Sequence, residues 1–491
     1  MHNKKFVIII LISLLSIRVF PQQDFLILYK SKKFSEILKK GSEIGYGSLD
    51  MSQKLLYLES QARTGKGHEA IPEILKILNK KPVQSKTQTT ASIIYHSTGK
   101  IKKAKKYINQ ALTLDSNNVK ALFTKALILT DQHKINQATD ILSMLIQRYP
   151  DYIKTRLYFL IGKRICKASG NPARMVDFLK THLKYLEKEN RKDFIKAQIE
   201  LYQRFINKPL FHIESTKDEV EIPLVNFKNS KYKCLIFKHK NKKYYILLDT
   251  GNSPGWTLHE PELKDILISH KGNEDSISTG SVKGKLRSYQ IVTDKIDLGD
   301  FSVNNLTGSY FRKPRERYFD GNINPYFIEN RVVTMDFINN KFILRTRDKF
   351  EEYLKSNEEY HRSVIKVIGT AWPFVPVHLN GYASGLAMIE TGAEDLSLKL
   401  EYAKSINLPL TPKTKMWQGK KYHHHETDQL FVNIGNHVMM RNNSEVWPVR
   451  FHDELTGLFD SVMIGPYALD GKYILSFDPF ENRIILETKT H

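Results

Sequence analysis

Two rhythms of apolar and polar positions divide the chain. In the first stretch apolar residues recur at helical spacing, as in Ala104, Tyr107, Ile108, Ala111, Leu112 and Leu114, a stripe that a helix buries along one side. From about residue 215 the rhythm shortens to β-rich runs broken by Gly, Asn and Pro, which predicts strands joined by tight turns. A charged segment, 347–362, interrupts this second zone and reads as a helical linker.

Each zone contains a repeat. In the helical zone Ala70, Ala104 and Ala138 recur every 34 residues, as do Gly65, Gly99 and His133; Ile77, Ala111 and Leu145; and Pro82, Ser116 and Pro150. Small residues at fixed sites let two antiparallel helices approach closely, and the Gly or polar site marks the turn between them. The period and its small, Gly and late Pro positions resemble the tetratricopeptide repeat, although the Trp-Leu-Gly start is missing. The resemblance implies a helical solenoid over 24–206, with 24–40 as a half-repeat and 151–206 as a capping region.

The β-rich zone repeats at a longer interval. Tyr244-Tyr-Ile-Leu-Leu-Asp249-Thr250-Gly251 corresponds to Gly385-Leu-Ala-Met-Ile-Glu390-Thr391-Gly392, an offset of 141 residues. Asn324-Pro325-Tyr326 and Gly465-Pro466-Tyr467 keep that offset. Both copies then end in an apolar strand, an Asn-containing turn and another strand, from Val333 and from Ile474. The pattern predicts a duplicated β-unit with copies at 215–346 and 363–488.

A buried strand running into Asp-Thr-Gly, duplicated in one chain, resembles the aspartic peptidases of the retropepsin and pepsin superfamily. The expected fold is therefore multidomain: an all-α solenoid followed by an all-β, two-lobed aspartic-peptidase-like domain. The resemblance makes Asp249 and Glu390 the catalytic acids. It makes Thr250, Gly251, Thr391 and Gly392 the active-site loops, with the threonines bracing them and the glycines permitting tight loop geometry. Two close carboxyl groups then share one proton, one acting as base toward a water and the other as acid. Flaps are expected near Thr279-Gly280-Ser281-Val282-Lys283-Gly284 and near Trp417-Gln418-Gly419-Lys420.

The chain departs from the family in two places. Glu390 replaces the second Asp, and one extra bond of about 1.5 Å should carry its carboxyl past the shared water. The apolar-apolar-Gly segment of the first copy reads Asn322-Ile323-Asn324, whereas the second copy keeps Met463-Ile464-Gly465. The leading expectation is an aspartic endopeptidase using an Asp/Glu dyad, with the repeats docking a peptide or protein substrate. The other expectations are an inactive protein that captures an extended peptide by strand addition, and a scaffold whose β-domain is a rigid spacer.

Composition adds four points. His2-Asn3-Lys4-Lys5 followed by the apolar run Phe6 to Ile17 reads as an export signal over residues 1–22, or as a signal anchor, so a periplasmic or secreted location is expected. The net charge of +23 is uneven: residues 24–210 hold 35 Lys/Arg against 16 Asp/Glu, and 211–491 hold 37 against 36. The basic part reads either as a Lys-rich solvated surface or as a face for an acidic partner, and no aromatic-basic motif points to specific nucleic-acid binding. Cys166 and Cys234 match neither a disulfide framework nor metal spacing, so they read as two thiols or one optional bridge. His423-His424-His425-Glu426 alternate faces on a strand and read as an exposed polar turn rather than a metal site. No metal and no cofactor is expected.

Overall fold

The computed structural model describes residues 24–489 except 81, 187–188, 209–210, 229, 240–241, 252–255, 259–267, 270–272, 276–277, 280–281, 284–285, 298–299, 312–318, 329, 358, 370–371, 382, 394, 418–419 and 448–460. The export signal expected over 1–22 lies outside the described residues. Among those described, no helix is long and apolar enough to cross a membrane. The chain separates into two compact units, one built from the described residues before 130 together with 136–165, the other from 130–135 and the described residues from 166 on.

The helical part follows its 34-residue period closely. Helices α1 (Met51–Arg63), α2 (Gly67–Leu78), α3 (Ser85–Ser97), α4 (Ile101–Leu114), α5 (Val119–Asp131) and α6 (Ile135–Arg148) start at intervals set by that period. Ala70, Ala104 and Ala138 are fully buried, as close helix packing requires of the small site. Gly65, Gly99 and His133 all take positive φ, at 90°, 72° and 57°. The shared position is thus a left-handed turn residue, cheap for Gly and tolerated by His133. Helix α4 shows how the stripe works: Ile101, Ala104, Ile108 and Ala111 are buried, while Lys102, Lys103, Lys105 and Lys106 stay exposed.

The β-rich part holds two sheets of matching strand order and a third that joins them. In the first copy the strands are β1 (Glu219–Pro223), β2 (Lys233–His239), β3 (Lys242–Leu248), β4 (Trp256–Leu258), β5 (Ser278–Thr279), β6 (Val282–Lys283), β7 (Leu286–Asp297), β8 (Ser302–Phe311), β9 (Gly321–Ile323), β10 (Val332–Asp336) and β11 (Lys341–Arg345). The expected linker helix, α7 (Arg347–Ser356), follows, capped by the Thr346 hydroxyl. The second copy supplies β12 (Tyr360–Lys366), β13 (Phe374–Leu379), β14 (Ala383–Ile389), β15 (Ser397–Lys399), β16 (Thr411–Trp417), β17 (Lys420–Ile434), β18 (His437–Trp447), β19 (Val462–Ile464), β20 (Ile474–Asp478) and β21 (Arg483–Lys489).

Within the first sheet six strands run β2-β3-β9-β4-β8-β7, flanked by Val225–Asn226 and Ile268–Ser269, and the second sheet runs β13-β14-β19-β15-β18-β17-β16, so six strands of each match in order. Pairing of β13 with β17, His378 opposite Asn433, closes the second into a six-strand barrel. The joining sheet runs β12-β21-β20-β10-β11-β1, with one copy on each side of the β10–β20 pair. At its centre Thr334 lies opposite Ser476, and their buried hydroxyls meet at 2.8 Å. Both terminal hairpins turn at an Asn of positive φ, Asn340 at 55° and Asn482 at 49°. In each, an Asp side chain, Asp336 or Asp478, accepts from the turn's backbone amides.

Candidate active site

Strands β3 and β14 end in Asp249-Thr250-Gly251 and Glu390-Thr391-Gly392. Each is an apolar strand whose residues before the acid are buried. A short parallel partner fixes where each strand stops. Ile323 of β9 pairs with Leu248 and Ile464 of β19 with Ile389, after which Asp249 N donates to Ile323 O and Glu390 N to Ile464 O, both at 2.9 Å. The backbone of both loops therefore leaves its sheet in the same way.

The threonines tie the loops together reciprocally. Thr250 Oγ1 donates to Ile389 O at 2.6 Å and accepts from Thr391 N at 3.0 Å. Thr391 Oγ1 donates to Leu248 O at 2.8 Å and accepts from Thr250 N at 3.1 Å. Both side chains are buried, so each hydroxyl satisfies polar groups that water cannot reach.

This crossing seats each acid on the other loop's glycine. A Cβ on Gly392 would stand 2.4 Å from Asp249 Cγ, and one on Gly251 would stand 2.4 Å from Glu390 Cδ. The two carboxyl carbons thus hold equivalent stations. The extra methylene of Glu390 runs along the opposite glycine, its Cγ lying 2.8 Å from the same Gly251 point. The reason for the glycines also changes. Neither is among the positive-φ residues, so what each provides is the missing Cβ that the opposing carboxyl occupies.

The first loop carries further supports. Gly251 N donates to Asp249 Oδ1 at 3.0 Å, and the Asn322 side-chain amide donates to Asp249 Oδ2 at 2.8 Å. Asn324 Nδ2 donates to Thr250 O at 3.0 Å while its Oδ1 accepts from Tyr326 N at 3.0 Å. Trp372 Nε1 donates to Gly251 O at 2.9 Å. The Asn322-Ile323-Asn324 departure therefore adds hydrogen bonds to the Asp249 loop, at positions where Met463 and Gly465 offer the other loop no polar side chain. Close by, Tyr326 donates its hydroxyl to Gly369 O at 3.0 Å, and burial holds its phenol above the ordinary range. Sequence reading missed Trp372, took Tyr326 only as part of the 141-residue repeat, and read Asn322 and Asn324 as a departure without a role.

The other candidate residues lie as follows. Thr279 pairs with Val282 and Trp417 with Lys420, so both expected flap segments are strand pairs, while Gly280, Ser281, Gly284, Gln418 and Gly419 lie outside the described residues. His423-His424-His425-Glu426 form part of β17 rather than an exposed turn. His424 is 4% exposed and stacks on Trp447 at 4.9 Å, because the long strand aims alternate residues inward. Among the described residues no group of three or more His, Cys, Asp or Glu side chains is arranged to hold a metal ion. Cys166 and Cys234 are free and buried, and burial pushes both thiols up to about 12, which leaves them unreactive at neutral pH. No protein-family model matches the chain, and no curated protein matches it as a relative.

Proposed function

We propose that this chain is an exported aspartic endopeptidase of the retropepsin and pepsin type, cleaving peptides with Asp249 and Glu390. The observation that carries the reading is the reciprocal seating of each carboxyl on the opposite loop's glycine, locked by the threonine exchange. In this reading the two carboxyl groups lie close enough that both cannot ionise easily, and the pair takes up one proton. The carboxylate removes a proton from a water lying between them, and the water oxygen attacks the peptide carbonyl carbon. The protonated partner gives its proton to the carbonyl oxygen. Collapse of the resulting diol breaks the C–N bond, with a proton passing to the departing amine.

In this reading the two halves of the β-rich unit are the lobes of the peptidase fold, and the hairpins at Thr279–Val282 and Trp417–Lys420 are flaps that exclude bulk water. The helical unit is a tetratricopeptide-like platform. Its exposed lysines, four of them on α4, suit an acidic partner or an acidic stretch of the substrate. The N-terminal pattern of residues 1–22 supports an activity outside the cytoplasm.

The test uses purified residues 24–491, a diverse peptide library and a pH series. Cleavage is expected under mildly acidic conditions and is abolished by Asp249→Asn, whose amide cannot act as base. Cleavage that survives Asp249→Asn sinks the assignment. Cleavage absent from the wild type but gained in Glu390→Asp identifies instead a peptide-binding protein disabled at Glu390.

A further inference from the structure

Strand β14 runs from Ala383 to Ile389, so the Asn380-Gly381 turn before it and Glu390 after it stand roughly 20 Å apart or more. Beside that turn lies an open groove of about 450 Å³, lined by Asn380, Gly381, Gln429, Phe431, Asn433 and Val438. Its size is that of a small-ligand site. On β17, Leu430, Val432 and Ile434 are buried, which turns Gln429, Phe431 and Asn433 outward. On β18, His437 and Met439 are buried, while Val438 and Met440 are each 55% exposed. Register sets Met440 opposite Phe431 and Val438 opposite Asn433, so Phe431, Val438 and Met440 form one apolar strip.

Amides border the strip. Gln429 and Asn433 flank Phe431 along β17, and Asn380 meets it from the turn, its Oδ1 accepting from Phe431 N at 2.8 Å. Among the described residues, Asn380 Nδ2 and the side chains of Gln429 and Asn433 have no hydrogen-bond partner within the chain. None of the six lining residues is charged.

We propose that this groove binds a neutral carbohydrate chain. An uncharged lining has nothing to offset the desolvation of an anion or a cation. A side-chain amide offers donor and acceptor together, which suits neighbouring hydroxyl groups on a sugar ring. The C–H face of a pyranose lies flat on an aromatic ring and the apolar residues beside it. An extended peptide fits less well, because the backbone edge at Phe431 is already taken. Asn380 Oδ1 receives Phe431 N, and Asn380 N donates to Phe431 O at 3.0 Å, so no strand can be added there. The lining holds no carboxyl group, so the site retains a glycan without hydrolysing it. The inference stands apart from the peptidase reading.

The experiment titrates residues 24–491 by calorimetry with neutral hexasaccharides of glucose, mannose, galactose and N-acetylglucosamine. At least one is expected to bind. Gln429→Ala and Asn433→Ala, both outward on β17, should each weaken that binding roughly three- to tenfold, the size of one neutral hydrogen bond. Phe431→Ala should weaken it by about tenfold or more, with thermal unfolding as the control for folding. Failure of all four sugars to bind at about 10 mM overturns the proposal. So does an affinity that neither amide variant changes. A groove that takes up an extended peptide, or a second copy of the chain in sedimentation, with no oligosaccharide competing, overturns it too. Peptide cleavage plays no part in these readouts, so the carbohydrate site and the peptidase reading fail or hold separately.

Discussion

In the first half of the β-rich unit, Val225–Asn226 flanks β2 and Ile268–Ser269 flanks β7 in the sheet that holds β2-β3-β9-β4-β8-β7, and among the described residues β2 and β7 do not pair with each other. Its interior keeps a cavity of about 20 Å³ whose lining includes Leu235, Phe237, Ile246, Trp256 and Ile323. In the second half the same strand order closes on itself through β13 and β17. The loop supports run the other way. Asn322, Asn324 and Trp372 brace the Asp249 loop by side-chain hydrogen bonds, whereas Met463 and Gly465 stand at the matching places beside the Glu390 loop. The first half braces its acid through side chains at Asn322 and Asn324, and the second half offers no polar side chain at the matching positions. Two routes lead to one geometry, since both carboxyl carbons reach the same distance from the opposing glycine.

The sharpest way to break this balance is to fill the glycines. Gly392→Ala puts a methyl 2.4 Å from the Asp249 carboxyl carbon, whose side chain is short and held at both oxygens. Gly251→Ala puts one 2.3 Å from Glu390 Oε1, at the end of a longer side chain with one more torsion to turn aside. Both should cost activity, Gly392→Ala by roughly a hundredfold or more, as displacements on the order of 1 Å do, and Gly251→Ala by less. Steady-state kcat/KM with thermal unfolding as control decides it. Equal losses would show that the extra methylene of Glu390 gives no freedom.

A smaller effect tests the part that the halves share. Thr250→Val and Thr391→Val each leave one buried N–H and one buried C=O without the hydroxyl they meet now. Each should destabilise the β-rich unit by about 2–4 kcal/mol in urea unfolding. Because the four bonds form one reciprocal set, the double variant should lose less than the sum. A clear inequality between the single variants would mean that the one-sided supports reach into the shared set.

The duplication was legible in sequence because an apolar strand running into an acid-Thr-Gly turn is a local pattern, and a constant 141-residue offset repeats it. The 34-residue period was legible for the same reason, down to the turn position that proved left-handed in Gly65, Gly99 and His133. What escaped was long-range partnering. Asn322 reaches Asp249 only because a parallel register aligns strands 73 residues apart, and Trp372 meets Gly251 across 121 residues. Neither separation leaves a trace in local periodicity. The histidine run was misread because polar residues suggested a turn, while the strand period that buries His424 against Trp447 depends on the full length of β17.

The central claim is that Asp249 and Glu390 together form one site for a tetrahedral centre in a bound peptide. The most direct measurement is titration calorimetry with a peptide that carries a secondary hydroxyl on tetrahedral carbon in place of the scissile carbonyl. Such a group resembles the transition state and should bind tightly to a carboxyl pair that straddles it. The account predicts binding to the wild type at mildly acidic pH, far tighter than to the same peptide with a methylene there, and loss of that difference in both Asp249→Asn and Glu390→Gln. Equal affinity for the hydroxyl and methylene peptides in the wild type would contradict it.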